Sequence, residues 1–265
     1  MTAEEPRKAE AVDYDTFVNW DVRLRREMPF FRDAFDAVSA RTVVDVGAGS
    51  CRHAIEFAAL GLSVDAVDPD DSMLGAAETN IGAAGERIAS AGGELRLLKG
   101  GFGELAGLGL RDADALTCTG NALPHVCGLE GLRDALADFS AVLRVDGILV
   151  LQLLNHERLL EKKQRAITPV VREVPEGTRV FLRVIDYPAD EVEFLGFDFV
   201  TLVRDVAGEW TCASHKAAHT KLPVETLRAE LTSAGFERVE FFGSHDRKPL
   251  DVFADESVLV VARRA

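Results

Sequence analysis

The chain has few residues that would staple it or mark it for export. Four cysteines (Cys51, Cys118, Cys127 and Cys212) are scattered through 265 residues, and no two stand in a CxxC pair. That spacing speaks against a structural zinc site or a redox motif. Four isolated thiols also make no disulfide framework, so the expected setting is the reducing cytoplasm. Positive charge is in deficit, with 30 Lys and Arg against 44 Asp and Glu, a net −14. Nucleic acid and anionic membranes are therefore not expected as partners, because phosphate recognition needs a basic face. No run of about 18 apolar residues is present to span a bilayer, and the opening MTAEEPRKAEAVDYD lacks the apolar centre of a signal peptide.

The rest of the composition, 47% hydrophobic and 28% charged, is that of an ordinary globular chain. The length allows one large domain or a core with an appendage. Residues 1 to about 12 read as a polar tail. From 14 to 38, Phe17, Trp20, Leu24, Met28, Phe31, Phe35 and Val38 recur at spacings of three and four, an amphipathic helix expected to kink or split near Pro29. Strand and helix patterns then alternate: strands at 42–47, 62–68, 94–100, 112–120 and 147–155, helices at 50–61, 71–90 and 129–144. Such alternation implies an α/β fold with a doubly wound, mostly parallel sheet. After residue 165 the period changes to two, which predicts antiparallel strands. A helix at 223–236 and strands at 237–244 and 257–264 return to the core pattern. The predicted organisation is an N-terminal helical cap (1–39), a core (40–165 and 222–265) and an antiparallel β insert (166–221) acting as a substrate lid.

The segment VVDVGAGSCR (43–52) carries the most chemistry. A strand ends in Gly47 and Gly49 and a helix follows at once. Glycines there let the backbone turn tightly and approach a ligand, and a helix start offers free N–H groups. Asp68 closes the next strand about 20 residues on, where an acid can take both ribose hydroxyls. Together they predict a nucleoside site at the carboxyl ends of the strands. A dinucleotide would want a third glycine where Arg52 stands, and Asp45 near the loop repels a pyrophosphate and suits a cation.

DVGAGSC (45–51) and AVDPDDSML (66–74) resemble the first and second motifs of class I S-adenosylmethionine-dependent methyltransferases, over roughly 40–160 and 223–265. CTGNALPHV (118–126) and NWDVRLRREMPFF (19–31) are similar to segments of glycine N-methyltransferase-like enzymes. The resemblance implies a seven-stranded Rossmann-like core that binds S-adenosylmethionine. Residue by residue, Asp45, Gly47, Ala48 and Gly49 would hold the methionine end and ribose, Asp68 and Pro69 the ribose side, and Met73 the adenine. Gly101 and Phe102 stand where the family often has an acid for the adenine amine. Cys118, Thr119 and Asn121 would face the amino-acid end, with Tyr14 and Trp20 at the mouth. Arg25, or failing it Arg23, would take the cofactor carboxylate.

Because the sulfonium carries the reactive methyl group, the protein mainly positions and desolvates. His125, with Asn121 beside it, is the candidate for moving a proton off the acceptor. His215 and His219, four apart in the insert, do not suffice for a metal, and none is expected. Where glycine N-methyltransferase-like enzymes carry an arginine for the acceptor carboxylate, this chain has Leu154, which predicts an acceptor other than glycine unless the nearby Arg158 compensates. The expected function is methyl transfer to N or O of a small molecule. The alternatives are a non-catalytic cofactor-binding protein or a nicotinamide-dependent oxidoreductase. The sequence leaves the oligomeric state open, a homo-oligomer included.

Overall fold

A computed structural model describes residues 11–189 and 192–265; most of the predicted N-terminal tail lies outside the described residues. Two helices come first, α1 (Ala11–Phe17) and α2 (Trp20–Asp36). The split falls at Val18–Asn19, where the Asn19 side chain accepts the Val22 N–H at 3.2 Å and caps α2, and not near Pro29. Pro29 sits inside a continuous helix. It and Arg25, whose carbonyl it leaves without a helical partner, both lie on the exposed face, the side on which a helix tolerates a freed carbonyl.

The core alternates β1 (Thr42–Val46), α3 (Arg52–Ala58), β2 (Ser63–Asp68), α4 (Asp71–Ser90), β3 (Glu94–Lys99), β4 (Ala113–Cys118), α5 (Gly128–Val142) and β5 (Leu143–Leu154). The start of α4 follows from its cap: the Asp70 carboxylate accepts the N–H groups of Ser72 and Met73 at 2.8 and 3.2 Å. α5 ends two residues earlier than its periodicity suggests, because Leu143 pairs with Ala113 and begins a longer strand. A short helix the pattern does not announce, α6 (His156–Lys162), is started by Asn155, whose side chain accepts the Arg158 N–H. The chain then forms β6 (Ala166–Val174), β7 (Gly177–Asp186), β8 (Phe194–Asp205) and β9 (Trp210–Thr220), and closes with α7 (Val224–Ser233), β10 (Phe236–Phe242) and β11 (Ser257–Arg264).

Seven strands make one sheet in the order β10-β11-β5-β4-β1-β2-β3. Neighbours from β5 to β3 are parallel, and β11 runs antiparallel to both β5 and β10. Strand order reverses between β1 and β4, which opens a crevice at their carboxyl ends. Two apolar layers cover the sheet faces, one around Leu116, Leu136 and Phe139, the other around Phe31, Phe57 and Val64.

The second sheet, β6-β7-β8-β9, is antiparallel throughout. Its buried face, Ile185, Leu195 and Phe197, packs on Leu159 of α6 and Leu154 of β5. One carboxylate ties the N-terminal helices to the core: Asp15 accepts from Ser50 Oγ (2.6 Å), Arg52 Nη2 (2.8 Å), Trp20 Nε1 (2.8 Å) and Asn80 Nδ2 (3.2 Å). Burial alone would raise its pKa, but these donors hold it below the usual carboxylate value.

Candidate active site

At the strand-order reversal a cavity of about 630 Å³ opens between the core, the N-terminal helices and the second sheet. Its floor is the β1–α3 turn. Gly47 and Gly49 have φ of +67° and +56°, values that L side chains reach only under strain. A Cβ on Gly47 would stand 2.6 Å from the Ala122 Cβ. Both Gly47 N and Ala48 N donate to the Val67 carbonyl at 2.9 and 3.1 Å, which ties the turn to the end of β2. Asp68 then reaches across: its Oδ2 accepts the Gly49 N–H at 2.7 Å and its Oδ1 the Asp70 N–H at 3.0 Å. Burial raises the Asp68 pKa while those two N–H groups oppose the rise.

Tyr14, Trp20, Gly47, Ala48, Gly49, Asp68, Pro69, Met73, Gly101, Phe102, Thr119, Asn121 and His125 all line this cavity. Three of the sequence candidates do not. Arg25 lies on the exposed face of α2, and Arg23, two residues earlier and so on another face of the helix, turns inward. Arg23 Nε donates to both Glu27 carboxylate oxygens at 3.1 Å, and its Nη2 meets Gln152 Oε1 at 3.3 Å. Asp45 is buried beneath the turn and accepts the Thr117 hydroxyl at 2.6 Å. Burial pushes its pKa up to about 6. Cys118 is buried among apolar side chains at the end of β4. Strand alternation turns both Asp45 and Cys118 into the core, behind the cavity wall.

Beside Arg23 the wall holds a buried polar group. Glu27 Oε2 and His53 Nε2 are 2.7 Å apart, and His245 Nε2 stands 3.7 Å from Glu27 Oε1. Burial would raise the Glu27 pKa, but the His53 hydrogen bond and the charges of Arg23, His53 and His245 bring it down to about 2.

Asn121 has a φ of +68° and acts as a junction. Its N–H donates to the Gln152 carbonyl, its Oδ1 accepts the Leu154 N–H at 2.8 Å, and its Nδ2 lies 3.4 Å from His219 Nδ1. His125 and His219 rings have centroids 4.4 Å apart. Burial lowers the pKa of His125, with the neighbouring His215 adding to the effect. His219 is pushed down to about 3, mainly by burial. Its Nε2 is buried with no hydrogen-bond partner. His215 stacks on Phe199 at 4.8 Å. Among the described residues no group of three or more His, Cys, Asp or Glu is arranged for a metal ion.

Other residues in or beside the cavity were not placed there by the sequence analysis. Gln152, whose Oε1 also accepts the Gly120 N–H at 2.8 Å, was signalled only as the one polar side chain in the apolar run ILVLQLL. Phe181 and Arg183 on β7, Phe197 and Phe199 on β8, and His215 and His219 on β9 form one inner face at alternate positions. Arg158 does not turn to the cavity; it pairs with Glu256 at 3.3 Å. Leu154 does line it. Glu104 fills in beside Gly101, accepting its N–H at 2.7 Å.

Residues 43–147 match the family model described as a methyltransferase domain. A glycine/sarcosine N-methyltransferase of Parasynechococcus marenigrum is 32% identical over 149 residues, 56% of this chain and 50% of that protein. A glycine/sarcosine/dimethylglycine N-methyltransferase of Actinopolyspora halophila is 28% identical over 148 residues, 56% and 25% respectively. The chain thus spans half or less of the length of these relatives. Among solved structures, CalS10, an amino pentose methyltransferase from Micromonospora echinaspora, superposes with a TM-score of 0.71 at 21% identity over 99% of this chain and 100% of that one. An S-adenosylmethionine-dependent methyltransferase from Clostridium acetobutylicum gives 0.75 at 15% identity, covering 96% and 97%. The fold is that of these S-adenosylmethionine-dependent methyltransferases, and residues 43–147 match a methyltransferase domain within a stretch similar to glycine/sarcosine N-methyltransferases.

Proposed function

We propose that the chain transfers a methyl group from S-adenosylmethionine to the nitrogen of a small-molecule acceptor bound under the second sheet. One observation carries this: the cavity runs without a break from the glycine turn and Asp68 to the inner face of β7–β9. A protein that only held the cofactor would need no such second half. The relatives named above act on amines, which favours nitrogen over oxygen as the acceptor atom.

The site fits the cofactor. Ala122 closes Gly47 to a side chain and the positive φ of Gly49 disfavours one there, so the turn offers bare backbone to the cofactor. Asp68 keeps its remaining lone pairs for the ribose hydroxyls, and Met73 with Phe102 and Pro69 forms an apolar slot for adenine. Arg23, already oriented by Glu27 and Gln152, faces the carboxylate at the methionine end.

When bound, the sulfonium supplies a methyl group to a lone pair on the acceptor nitrogen, the sulfur–carbon bond breaking with its electron pair left on sulfur. The chain's part is to hold the amine in line and free of its proton. His125 lies in the cavity with its pKa lowered, so near neutral pH it is an acceptor for that proton. Asn121 fixes the ring of His219, which packs against His125. The second sheet acts as the lid that excludes water. Leu154 in place of an arginine favours an acceptor larger than glycine.

The test is calorimetric titration with S-adenosylhomocysteine, followed by detection of that product after incubation with S-adenosylmethionine and a panel of small amines. Saturable binding and amine-dependent product formation are expected. Absence of binding at millimolar ligand refutes the assignment, and binding without turnover on any amine favours a non-catalytic cofactor-binding protein.

A further inference from the structure

Arg183 sits on β7 beside Phe199 of β8, which in turn pairs with His215 of β9. The three form one row across the roof of the cavity. The Arg183 guanidinium lies 4.2 Å from the Phe17 ring centroid and 5.8 Å from that of Phe199. Aromatic faces attract it, but they offer no hydrogen-bond acceptor for its five N–H groups. The charged and titratable groups that face it are Tyr14, Arg23 and His219, and burial lowers its pKa. Arg23, Arg52, Arg87, Arg96, Arg133, Arg144 and Arg158 each pair with a carboxylate. Arg183 pairs with none among the described residues. A cation in this position is unbalanced until a ligand brings an anion.

The cofactor does not supply that anion. It has one carboxylate, and Arg23 stands at that end, next to the Gly120 backbone and Gln152. Asp68, the carboxylate facing the glycine turn, is engaged by Gly49 and Asp70. Leu154 leaves the end of β5 without a cation. Phe17, Phe181, Phe197 and Phe199 make the walls around Arg183 apolar.

We propose that Arg183 binds a carboxylate on the acceptor, which makes the acceptor class an amino acid with an apolar side chain. The proposal rests on the methyltransferase assignment above. One arginine matches one planar carboxylate through two parallel N–H bonds. A diphosphate would call for several cations, and Lys216, at the cavity rim and one position out of step with the inner face, is directed to Asp198 at 3.7 Å.

The experiment uses the full chain saturated with S-adenosylhomocysteine and titrates three probes: L-phenylalanine, phenethylamine (the same body without the carboxylate) and thymidine diphosphate. L-Phenylalanine is expected to bind at least tenfold tighter than phenethylamine. Arg183→Met should remove that difference while S-adenosylhomocysteine affinity stays within twofold, and Arg183→Lys should keep part of it. Equal or absent binding of the two amines, or a preference that survives in Arg183→Met, overturns the proposal. So does tighter, Arg183-dependent binding of thymidine diphosphate, which assigns the residue to phosphate. A fall in S-adenosylhomocysteine affinity in Arg183→Met overturns it in favour of a cofactor role. Failure of the unaltered chain to bind S-adenosylhomocysteine is a different result, and it removes the methyltransferase assignment itself.

Discussion

Gly49 donates its backbone N–H to the Asp68 carboxylate at 2.7 Å, so the turn after β1 and the end of β2 are locked together before any ligand arrives. The carboxylate is thereby aimed, and under the proposed function a ribose would meet it without reordering the side chain. Charge-assisted hydrogen bonds contribute about 1.5–3 kcal/mol each. Asp68→Ala, which removes two such bonds to the sugar, is expected to weaken S-adenosylhomocysteine binding by a factor of about 10² or more. Asp68→Asn should fall between the two. Calorimetry showing unchanged affinity in Asp68→Ala would remove the ribose role.

Arg23 and Arg25 separate the inner and outer faces of α2. Arg25→Leu, on the exposed face, is expected to change stability by less than about 0.5 kcal/mol and leave cofactor affinity alone. Arg23→Leu strips a guanidinium from Glu27, which is 6% exposed, and removes the group proposed for the cofactor carboxylate. Breaking a buried pair on one side costs about 3–5 kcal/mol. Thermal denaturation and S-adenosylhomocysteine titration of both variants check this, and similar behaviour of the two would contradict the assignment of faces.

His125 is assigned to the proton on the acceptor. His125→Ala is expected to lower the turnover number by about 10²-fold or more, the usual size of general-base catalysis, with S-adenosylhomocysteine affinity unchanged. Because its pKa is lowered, activity should rise with pH along a limb lying below the ordinary histidine range and then level off. A variant that keeps both the rate and the acid limb would exclude His125 as the base.

Buried histidines make stability depend on acidity. Burial pushes His156 and His245 down to about 4 and His219 to about 3. An unfolded histidine takes a proton near pH 6.5, so below that value the unfolded chain gains three protons that the folded chain refuses. Asp45 acts oppositely: its folded pKa of about 6 means the folded chain gains one that the unfolded chain lacks down to about 3.8. For these four groups three minus one leaves two, a fall in stability on the order of 3 kcal/mol per pH unit between pH 6 and 4.5, which the lowered His125 and His215 increase and the raised Asp68 offsets. Below about 4.5 the unfolded chain also protonates Glu27, which the folded chain keeps charged down to about 2, and this adds to the fall. Urea midpoints at pH 7, 6 and 5 test this. Asp45→Asn should steepen the slope, and a flat profile would mean that these histidines are wetter than the fold implies.

The core was legible because its signals are local. TVVDV, SVDAVD and the Asp70-capped α4 each carry their own pattern, and β11 matches its predicted start and end. Pro29 misled because the cost of proline in a helix depends on whether the freed carbonyl meets water, which is a property of the assembled molecule. α6 was missed because a seven-residue helix has too few turns to show a period, leaving Asn155 as its only mark.

The candidate site divides in the same way. Gly47, Gly49 and Asp68 were readable, since a turn and the end of the adjacent strand must meet whatever else the chain does. The choice of Arg23 over Arg25, and the withdrawal of Asp45 and Cys118 behind the wall, depended on which face of a helix or strand packs inward. Sequence by itself determined the doubly wound sheet, the glycine turn and its acid, because these follow from short-range backbone chemistry and period. Tertiary structure alone decided that Arg183, Phe199 and His215 share a roof with Asp68 beneath it. Residues more than a hundred positions apart become neighbours only when two sheets close over one crevice.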